Sequence, residues 1–326
     1  MLDNKKTSIL CILNTLKEYS DENHPLLIQD IIDKINQNYG IELERKSVSN
    51  NIDLLEEFGY DIIRLPRKGV YLGERDFDPS EVSYIVDALF SSKTISSKEV
   101  RDLGSRLASC LSKYQRKRYN YVYKAESISR ASNDNIFYNI SLLEEAIEQK
   151  KKVTLKYKAK YANKNKKIRD QLINPYFLFN NNGQYYLICN YDYYDAILSY
   201  NVSYISDLSI SSEDVKPVTQ LPGYENGLDV SKYAKEHIYA FNGKTIDVTL
   251  KLKDEKSKYY VEEWLGSDIT FYEENDEIFA RAKVDDKSIV YWALQYAESI
   301  EVIKPIETRE EIKKLIALAS EKYNSK

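Results

Sequence analysis

Apolar residues recur at the spacing of a helix face in three successive segments near the N-terminus. The first two segments carry an apolar residue every three or four positions: Ile9, Leu10, Leu13 and Leu16, then Ile28, Ile31, Ile32 and Ile35. In the third segment Val48, Ile52 and Leu55 share one side, and Gly59 marks the end of the helix. The pattern predicts three amphipathic helices.

A hairpin follows the third helix. From residue 60 to residue 72 apolar and polar positions alternate around a turn at residues 66–69, which contains Pro66 and Gly69. Three helices and a two-stranded hairpin in this order predict a winged helix-turn-helix over residues 1–75.

A helical connector is predicted over residues 76–139. Asp78-Pro79-Ser80-Glu81 is typical of a helix start, and Val100, Leu103, Leu107 and Leu111 recur at near-heptad spacing. Residues 125–139 hold polar turn-forming residues and few large apolar ones, which indicates a loop or boundary.

The pattern changes to β-type over residues 140–215. A short helix over 140–150 precedes five strand-like segments, at 153–157, 171–179, 184–190, 196–202 and 204–210. Because the five strands are short and joined by Asn, Gly and Asp turns, we expect a small β-barrel of the SH3/Sm type.

A second α/β pattern occupies residues 240–326. Strands are expected at 245–252, 269–272, 278–284 and 300–303, and helices at 256–265, 286–297 and 309–323. This order, βαββαβ plus a final helix, predicts a ferredoxin-like unit. The fold class predicted for the whole chain is therefore multidomain α+β.

Composition excludes several classes of protein. The chain has 326 residues, 43% hydrophobic and 30% charged, a balance typical of packed domains. Its three cysteines stand far apart, and His24 and His237 are its only histidines. With so few ligands and bases, neither a zinc site nor a catalytic triad is expected. We expect no enzyme activity, no metal and no cofactor.

The same sequence argues against a membrane location. No apolar run approaches the ~18 residues that a membrane-spanning helix needs. Met1-Leu-Asp-Asn-Lys-Lys6 lacks the apolar core of a signal peptide. A cytoplasmic protein is the expectation.

The formal net charge of −4 is a sum of opposed blocks. Residues 1–75 hold 10 basic and 13 acidic side chains, residues 98–124 hold 8 and 2, and residues 149–169 hold 10 and none. The last block is interleaved with Tyr157 and Tyr161, a pattern that suits a phosphate-bearing ligand or a nucleic acid. A lysine-rich loop that only aids solubility is the alternative reading for residues 160–167.

Candidate DNA-binding residues lie on the third helix and the hairpin. Major-groove reading needs short polar side chains for base edges and cations for phosphates. The helix offers Arg45, Lys46, Ser47, Ser49, Asn50 and Asn51, of which Asn50 or Asn51 is suited to adenine. The hairpin tip adds Arg64, Arg67 and Lys68, placed for the phosphate backbone or the minor groove. A solvated helix face and an ordinary charged turn are the alternative.

Tyrosines are the candidate ligand contacts of the strand-rich block. Of the 29 tyrosines in the chain, many fall between residues 157 and 204. Tyrosine fills a small barrel and also offers a ring face for stacking on a base. Packing between neighbouring strands is the alternative for most of them.

These segments together resemble the WYL-domain transcriptional regulators of bacteria, with a winged helix-turn-helix, a WYL domain and a C-terminal WCX extension. Residues 46–60 resemble the recognition helix of that family, and residues 77–89 the start of its connector. Val153-Thr-Leu-Lys-Tyr157, Asn174-Pro-Tyr176 and Gly183-Gln-Tyr-Tyr-Leu187 resemble the opening strands and the name-giving motif of the WYL domain. Ser299-Ile-Glu-Val-Ile-Lys-Pro305 resembles the closing strand of the extension.

The resemblance implies a dimeric, DNA-binding transcriptional regulator that an anionic, nucleotide-type or nucleic-acid ligand controls through the barrel. In this sequence Tyr185 stands for the name-giving tryptophan, and Asn201 and Tyr204 stand where the family usually has arginines. Charge for an anion would then come from neighbouring strands. The ligand-binding candidates are Lys156, Tyr157, Lys158, Arg169, Tyr185, Tyr186, Tyr200, Asn201 and Tyr204.

Two other interpretations of the chain stay open. In one, it is a constitutive architectural DNA-binding dimer whose barrel is purely structural; the missing arginines favour this and the basic block disfavours it. In the other, it is an accessory protein that binds single-stranded nucleic acid through the barrel, which would leave the N-terminal module without a role.

Overall fold

A computed structural model describes residues 4–92, 94–119, 135–158, 169–266 and 268–324. The chain divides into two units, residues 1–132 and residues 133–326. Helices and three antiparallel sheets make up a mixed α/β architecture.

The first unit begins with three helices and a hairpin, which agrees with the elements predicted from the sequence. Their bounds are α1 Asn4–Tyr19, α2 Ile28–Tyr39, α3 Arg45–Glu57, β1 Ile62–Leu65 and β2 Gly69–Leu72. The apolar faces of the helices meet in one core, in which Ile12, Leu16, Ile31, Ile35, Val48 and Ile52 are fully buried. Burial of these side chains supplies the driving force for the module.

The hairpin is fixed to this core through the segment before α2. Leu26 and Val70 exchange two backbone hydrogen bonds of 2.8 Å, so Leu26 extends the two-stranded sheet by one bridge. Gly69 makes the close approach possible: its φ is +113°, and a Cβ there would lie 2.2 Å from the Leu26 carbonyl oxygen.

The connector predicted after the hairpin consists of three helices in the described part of the chain: α4 Pro79–Ser91, α5 Ser97–Ala108 and α6 Lys113–Arg116. The start of α4 is capped because the Glu81 carboxylate accepts a hydrogen bond of 2.8 Å from the Asp78 N–H. At the start of α5, Ser96 and Glu99 cap each other in the same way. The boundary loop predicted over 125–139 lies mostly outside the described residues.

The second unit opens with α7 Ile136–Glu148, which begins four residues before the expected start. The extra turn is helical because it has packing partners: Ile136 is fully buried, and the buried Asn139 amide donates to the Ile205 carbonyl at 3.1 Å. The polar residues of this segment led to a loop prediction, but the segment is helical because one side of the helix is buried.

Five antiparallel strands follow α7: β3 Lys151–Tyr157, β4 Asp170–Asn181, β5 Gln184–Asn190, β6 Leu198–Asn201 and β7 Ile205–Asp214. Their order in the sheet is β6-β5-β4-β3-β7. The strand expected over 196–202 is shorter in the structure, because the Asn201 side-chain oxygen accepts from the Ser203 N–H at 2.9 Å and caps a 3-10 turn over Val202–Tyr204.

A short helix that the sequence did not predict, α8 Val230–Glu236, links the two sheets of this unit. It is fixed by Tyr233, which is buried against Phe177 and Phe179 of β4 at ring-centroid distances of 5.6 and 6.0 Å. Asn226 and Gly227 before it are typical of loops, and the remaining start signal is Asp229, whose carboxylate caps the helix by accepting from the Lys232 N–H at 3.0 Å.

The last part of the chain has the predicted order of elements. They are β8 Thr245–Leu252, α9 Ser257–Leu265, β9 Thr270–Glu274, β10 Glu277–Asp285, α10 Ser288–Gln295, β11 Ile300–Lys304 and α11 Ile306–Asn324. The four strands form an antiparallel sheet in the order β11-β8-β10-β9. Trp292 of α10 is fully buried against this sheet, and Trp264 of α9 is partly buried at the same core.

Candidate functional site

The outward face of α3 is basic and polar in its N-terminal half and acidic in its C-terminal half. Val48, Ile52 and Leu55 are buried, which turns Lys46 and Asn50 outward near the N-terminal end of the helix. Arg45 is also exposed there, and the unpaired N–H groups of a helix start add partial positive charge. The N-terminal half of α3 is therefore suited to meet a polyanion.

The two asparagines predicted to read a base differ in exposure and in their hydrogen bonds. The Asn51 amide donates to the Ser47 carbonyl one turn earlier at 2.8 Å and is half-buried. Asn50 is exposed, and its side chain makes no hydrogen bond within the described ranges. Ser47 and Ser49 are half-buried on the flanks of the helix.

Arg64 has a different position from the one expected. The sequence placed it at the hairpin tip, but it lies within β1, opposite Val70. Its guanidinium donates from Nε to Glu56 Oε1 at 2.9 Å and from Nη2 to Glu56 Oε2 at 2.7 Å, with a further contact to Asp53 Oδ1 at 2.5 Å. The hydrogen bonds that Arg64 donates to Glu56, followed by the one it donates to Asp53, raise the pKa of Arg64. Arg64 thus offsets part of the negative charge of Asp53 and Glu56.

The hairpin tip itself presents two cations. The turn is closed by the Lys68 N–H, which donates to the Leu65 carbonyl at 3.1 Å, and Arg67 adopts a left-handed φ of 64°. Both side chains are exposed, and neither forms an ion pair with any residue that the structure describes. Arg67 and Lys68 are therefore available to an anionic partner.

A polar cluster that the sequence did not indicate joins this module to the connector helices. The buried Asp21 carboxylate accepts from Ser112 Oγ at 2.5 Å and contacts His24 Nδ1 at 2.7 Å. Arg75 donates to the carbonyl oxygens of Ser20 and Cys110 at 2.6 and 3.3 Å. Because these residues come from distant parts of the sequence, no local pattern could have predicted their contacts.

In the second unit, three of the candidate tyrosines come together. The rings of Tyr157 and Tyr200 stack at 4.2 Å with an interplanar angle of 13°, and Tyr204 lies edge-on to Tyr157 at 6.4 Å. We call Tyr157, Tyr200 and Tyr204 the tyrosine cluster. All three are half-buried.

The stacking implies a strongly curved sheet. Tyr157 ends β3 and Tyr200 lies in β6, and two strands separate β3 from β6 in the hydrogen-bonded order. Three strand spacings in a flat sheet would place them roughly 14 Å apart. Contact at 4.2 Å therefore requires the sheet to curl.

Glutamine side chains fix the hydroxyl groups around the tyrosine cluster. Gln171 Oε1 accepts from the hydroxyls of Tyr191 and Tyr200 at 2.6 and 3.0 Å. On β5, Gln184 Oε1 accepts from the Tyr186 hydroxyl at 2.9 Å and from the Asn201 amide at 2.7 Å. Neither glutamine was a candidate, because glutamine carries no distinctive sequence signal. Asn201 and Tyr186 are thus tied into the framework of the cluster.

Burial favours the neutral form of four tyrosines of this region. Burial raises the pKa of Tyr157 to about 12 and also raises the pKa values of Tyr200, Tyr186 and Tyr191. A neutral hydroxyl donates or accepts hydrogen bonds and does not repel an anion. Tyr185, the next residue to Tyr186 on β5, is half-buried, and because side chains of a strand alternate it points to the other face of the sheet.

The three candidate cations differ in their partners. Lys156 Nζ lies 2.8 Å from Asp207 Oδ2 and 3.8 Å from Asp170 Oδ1, and the hydrogen bond to Asp207 raises the pKa of Lys156. Lys158 and Arg169 are exposed and have no carboxylate partner among the described residues. Charge for an anion therefore falls to Lys158 and Arg169. Tyr161 and the lysines at 160–167 lie outside the described residues.

A buried lysine on the same strand was not among the candidates. Lys152 Nζ lies 2.6 Å from Asp192 Oδ2 and 2.9 Å from Glu213 Oε2, and its side chain is only 9% exposed. The Asp192 carboxylate also accepts from the buried Asn174 amide at 2.9 Å. This clamp ties β3 to the segments after β5 and at the end of β7, so we assign it a structural role.

Two families match parts of the chain. Residues 138–210 match the WYL domain, and residues 244–319 match the WCX domain. The chain therefore contains both domains, as the resemblance in its sequence implied. A comparison with curated proteins returns no match.

Two solved structures are similar over nearly the whole chain. Proteasome accessory factor B/C (PafBC) of Arthrobacter aurescens aligns over 99% of this chain and 49% of its own, with 12% identity and a TM-score of 0.32. A CRISPR Cas-related protein aligns over 98% and 85%, with 15% identity and a TM-score of 0.41. The chain thus spans about half the length of the first of these proteins.

No group of three or more His, Cys, Asp or Glu is placed to hold a metal ion among the described residues. No helix among them combines the length and the apolar character needed to cross a membrane.

Proposed function

We propose that this protein is a DNA-binding transcriptional regulator that acts as a homodimer and reads double-stranded DNA through a winged helix-turn-helix over residues 1–75. One observation carries the proposal: Lys46 and Asn50 at the start of α3 and Arg67 and Lys68 at the hairpin tip are exposed and lack carboxylate partners among the described residues. An Asn side chain for base edges and cations for phosphates are the two groups that groove reading needs.

The acidic residues of α3 do not contradict this. Asp53 and Glu56 would repel phosphates if they were uncompensated, but both contact Arg64. The N-terminal part of a recognition helix normally contacts the bases. In this orientation Glu57, at the far end of α3, stays away from the groove.

We further propose that the WYL domain is a small SH3/Sm-like barrel that binds a nucleotide or nucleic-acid effector at the tyrosine cluster. The curl of the sheet that brings Tyr157 onto Tyr200 supports the barrel. The half-buried tyrosine rings suit stacking on a base, and the exposed Lys158 and Arg169 suit a phosphate. Effector binding would act by favouring one of two dimer geometries that space the recognition helices differently.

A gel-shift or anisotropy titration of the full chain against DNA from its own promoter region, at two salt concentrations, tests the DNA proposal. Asn50→Ala should cost about 1–3 kcal/mol of binding free energy and reduce discrimination between sequences. Arg67→Ala should weaken binding to all sequences and reduce the salt dependence.

Matched controls keep this test specific. Lys98→Ala on α5 removes an exposed cation, and Asn226→Ala removes an exposed asparagine in a loop of the second unit. Both should leave DNA affinity unchanged. If sequence-specific DNA binding is unchanged in both Asn50→Ala and Arg67→Ala, the proposed reading surface is wrong.

A further inference from the structure

The basic block over residues 98–124, with 8 basic and 2 acidic side chains, has no role in the proposed function. Helix α6 comes from this block and is fixed to the end of α1 at both of its own ends. At its start the Ser112 hydroxyl donates to Asp21 Oδ2 at 2.5 Å. At its end Arg116 forms an ion pair with Glu18. The basic helix therefore packs on the proposed DNA-binding module, within the first unit.

Three lysines and two tyrosine rings form a continuous patch where α1, α2 and α6 meet. Lys34 Nζ of α2 and Lys113 Nζ of α6 each lie 4.5 Å from the centre of the Tyr19 ring. The Tyr114 ring has Lys113 Nζ at 5.2 Å and Lys117 Nζ at 5.9 Å. Because each ring is shared by two ammonium groups, the three charges are close neighbours. We call Lys34, Tyr19, Lys113, Tyr114 and Lys117 the lysine–tyrosine patch.

The positive charge of this patch is not compensated by carboxylates. None of its three ammonium groups forms an ion pair with a residue that the structure describes. The two acidic groups at the end of α1 have other partners: Glu18 pairs with Arg116, and Asp21 accepts from Ser112 and lies against His24. The patch therefore presents three uncompensated cations, which favours an anionic partner.

Both rings of the patch are held in place. His24 stacks on Tyr114 at a ring-centroid distance of 3.7 Å with an interplanar angle of 6°, and the Tyr19 hydroxyl accepts from the Asn38 amide at 3.2 Å. A lysine that lies against a fixed ring is attracted to it and has less conformational freedom than a lysine in solvent. Such a lysine loses less entropy when a ligand orders it further.

The position of Lys34 indicates the kind of anion. In a helix-turn-helix, the helix before the recognition helix crosses the DNA backbone. Here that helix is α2, which carries Lys34 and is separated from α3 only by residues 40–44. Lys113 shares the Tyr19 ring with Lys34, so the connector extends the cationic surface of α2.

We propose that the connector takes part in DNA binding, with the lysine–tyrosine patch on backbone phosphates beside the bases that α3 reads. This inference rests on the proposed DNA binding and adds a contact to it that is independent of base sequence. Neighbouring cations suit a polyanion, because a DNA strand carries a phosphate every ~3.4 Å along the helix axis. Lysine meets phosphate as a point charge and reads no base in that contact.

The salt dependence of DNA binding by the full chain tests this, measured by anisotropy on DNA from its own promoter region at several salt concentrations. Lys113→Gln with Lys117→Gln should reduce the slope of log K against log salt by about 1.8, because each lost phosphate contact removes about 0.9. Adding Lys34→Gln should bring the reduction to about 2.7. The ratio of affinities for promoter DNA and unrelated DNA of equal length should stay the same, because no base contact is lost.

Matched variants control for charge and for folding. Lys113→Arg with Lys117→Arg keeps both charges and should retain the wild-type slope. Lys98→Gln removes an exposed lysine of α5 outside the patch and should also retain it. Urea unfolding of each variant, followed by circular dichroism, should show that the fold is intact.

The outcomes separate this inference from the proposed function. An unchanged slope in Lys113→Gln with Lys117→Gln, while Asn50→Ala still loses discrimination, overturns the patch contact and leaves the reading surface of α3 in place. A patch that binds an acidic protein and not DNA would give that result. An equal loss of slope in the arginine variant also overturns it, because the charge is then not what matters. Absence of DNA binding by the wild type overturns the proposed function as well.

Discussion

Arg64 of β1 and Glu56 of α3 join the hairpin to the third helix through two parallel hydrogen bonds, Nε to Oε1 at 2.9 Å and Nη2 to Oε2 at 2.7 Å. Asp53 contacts the same guanidinium. The bidentate geometry fixes the position of the hairpin relative to α3, and the single positive charge partly compensates two carboxylates near the proposed reading surface.

Arg64→Ala should therefore weaken DNA binding by roughly tenfold at low salt, because two carboxylates lose their counter-charge. The free energy of unfolding should fall by less than ~1 kcal/mol, since the pair is substantially exposed. Anisotropy titrations and urea unfolding measure the two effects.

The triple variant Arg64→Ala, Asp53→Asn, Glu56→Gln separates compensation from direct contact. It should regain most of the lost DNA affinity. If affinity stays at the level of Arg64→Ala, Arg64 contacts DNA itself and its role as a neutralising group is wrong.

Gly69→Ala should destabilise the first unit by about 3 kcal/mol, because an added Cβ would lie 2.2 Å from the Leu26 carbonyl oxygen and φ is +113°. Gly40→Ala is the matched control: its φ is +66°, but no atom lies within 4 Å of the new Cβ. It should cost only ~1 kcal/mol. If urea unfolding gives equal losses of unfolding free energy for the two variants, the contact with the Leu26 carbonyl oxygen does not set the cost at Gly69.

In the clamp formed by Lys152, Asp192 and Glu213, removal of the lysine and removal of the two carboxylates should lower the free energy of unfolding by different amounts. Lys152→Met leaves Asp192 and Glu213 about half-exposed and hydrated, so a loss of ~1 kcal/mol or less is expected. Asp192→Ala with Glu213→Ala leaves a buried ammonium without a partner and should cost ~3 kcal/mol. Similar losses in the two unfolding experiments would argue against the clamp.

Stability should also depend on pH through Asp192. The hydrogen bond from Lys152 holds the pKa of Asp192 below its ordinary value of 3.8, so the folded state binds a proton less readily than the unfolded state. This stabilisation is complete above pH ~5 and is lost as the pH falls through and below ~4. The difference in unfolding free energy between wild type and Lys152→Met should therefore be constant from pH 7 to pH 5 and shrink below pH ~4.

The tyrosine cluster should contribute to effector binding through its ring faces. Tyr157→Leu or Tyr200→Leu should weaken binding of a short single-stranded oligonucleotide to the full chain by about 1–3 kcal/mol. Tyr200→Phe keeps the ring and leaves Tyr191 paired with Gln171, so it should bind nearly as wild type. If Tyr200→Phe binds the oligonucleotide as weakly as Tyr200→Leu, the binding depends on the hydroxyl network and not on ring stacking.

The predictions from sequence were most accurate where local periodicity decides the structure. Val48, Ile52 and Leu55 indicated the buried face of α3, and the alternation around residues 66–69 indicated the hairpin. The order of elements from residue 245 onward also agrees with the structure. Predictions were wrong where a segment gains its structure from distant partners: α7 begins early because Asn139 contacts Ile205, and α8 forms because Tyr233 packs on Phe177.

The sequence by itself determined the apolar faces of the N-terminal helices, the side of α3 that turns outward, and the small number of histidines and cysteines. Only the tertiary structure decided how these side chains meet. It placed Arg64 against Glu56, Tyr157 on Tyr200 and Lys152 between Asp192 and Glu213. Hydrophobic periodicity is a property of neighbouring residues, so a short stretch of sequence is enough to show it. Ion pairs and ring contacts depend on strand curvature and packing between residues many positions apart, which no local window contains.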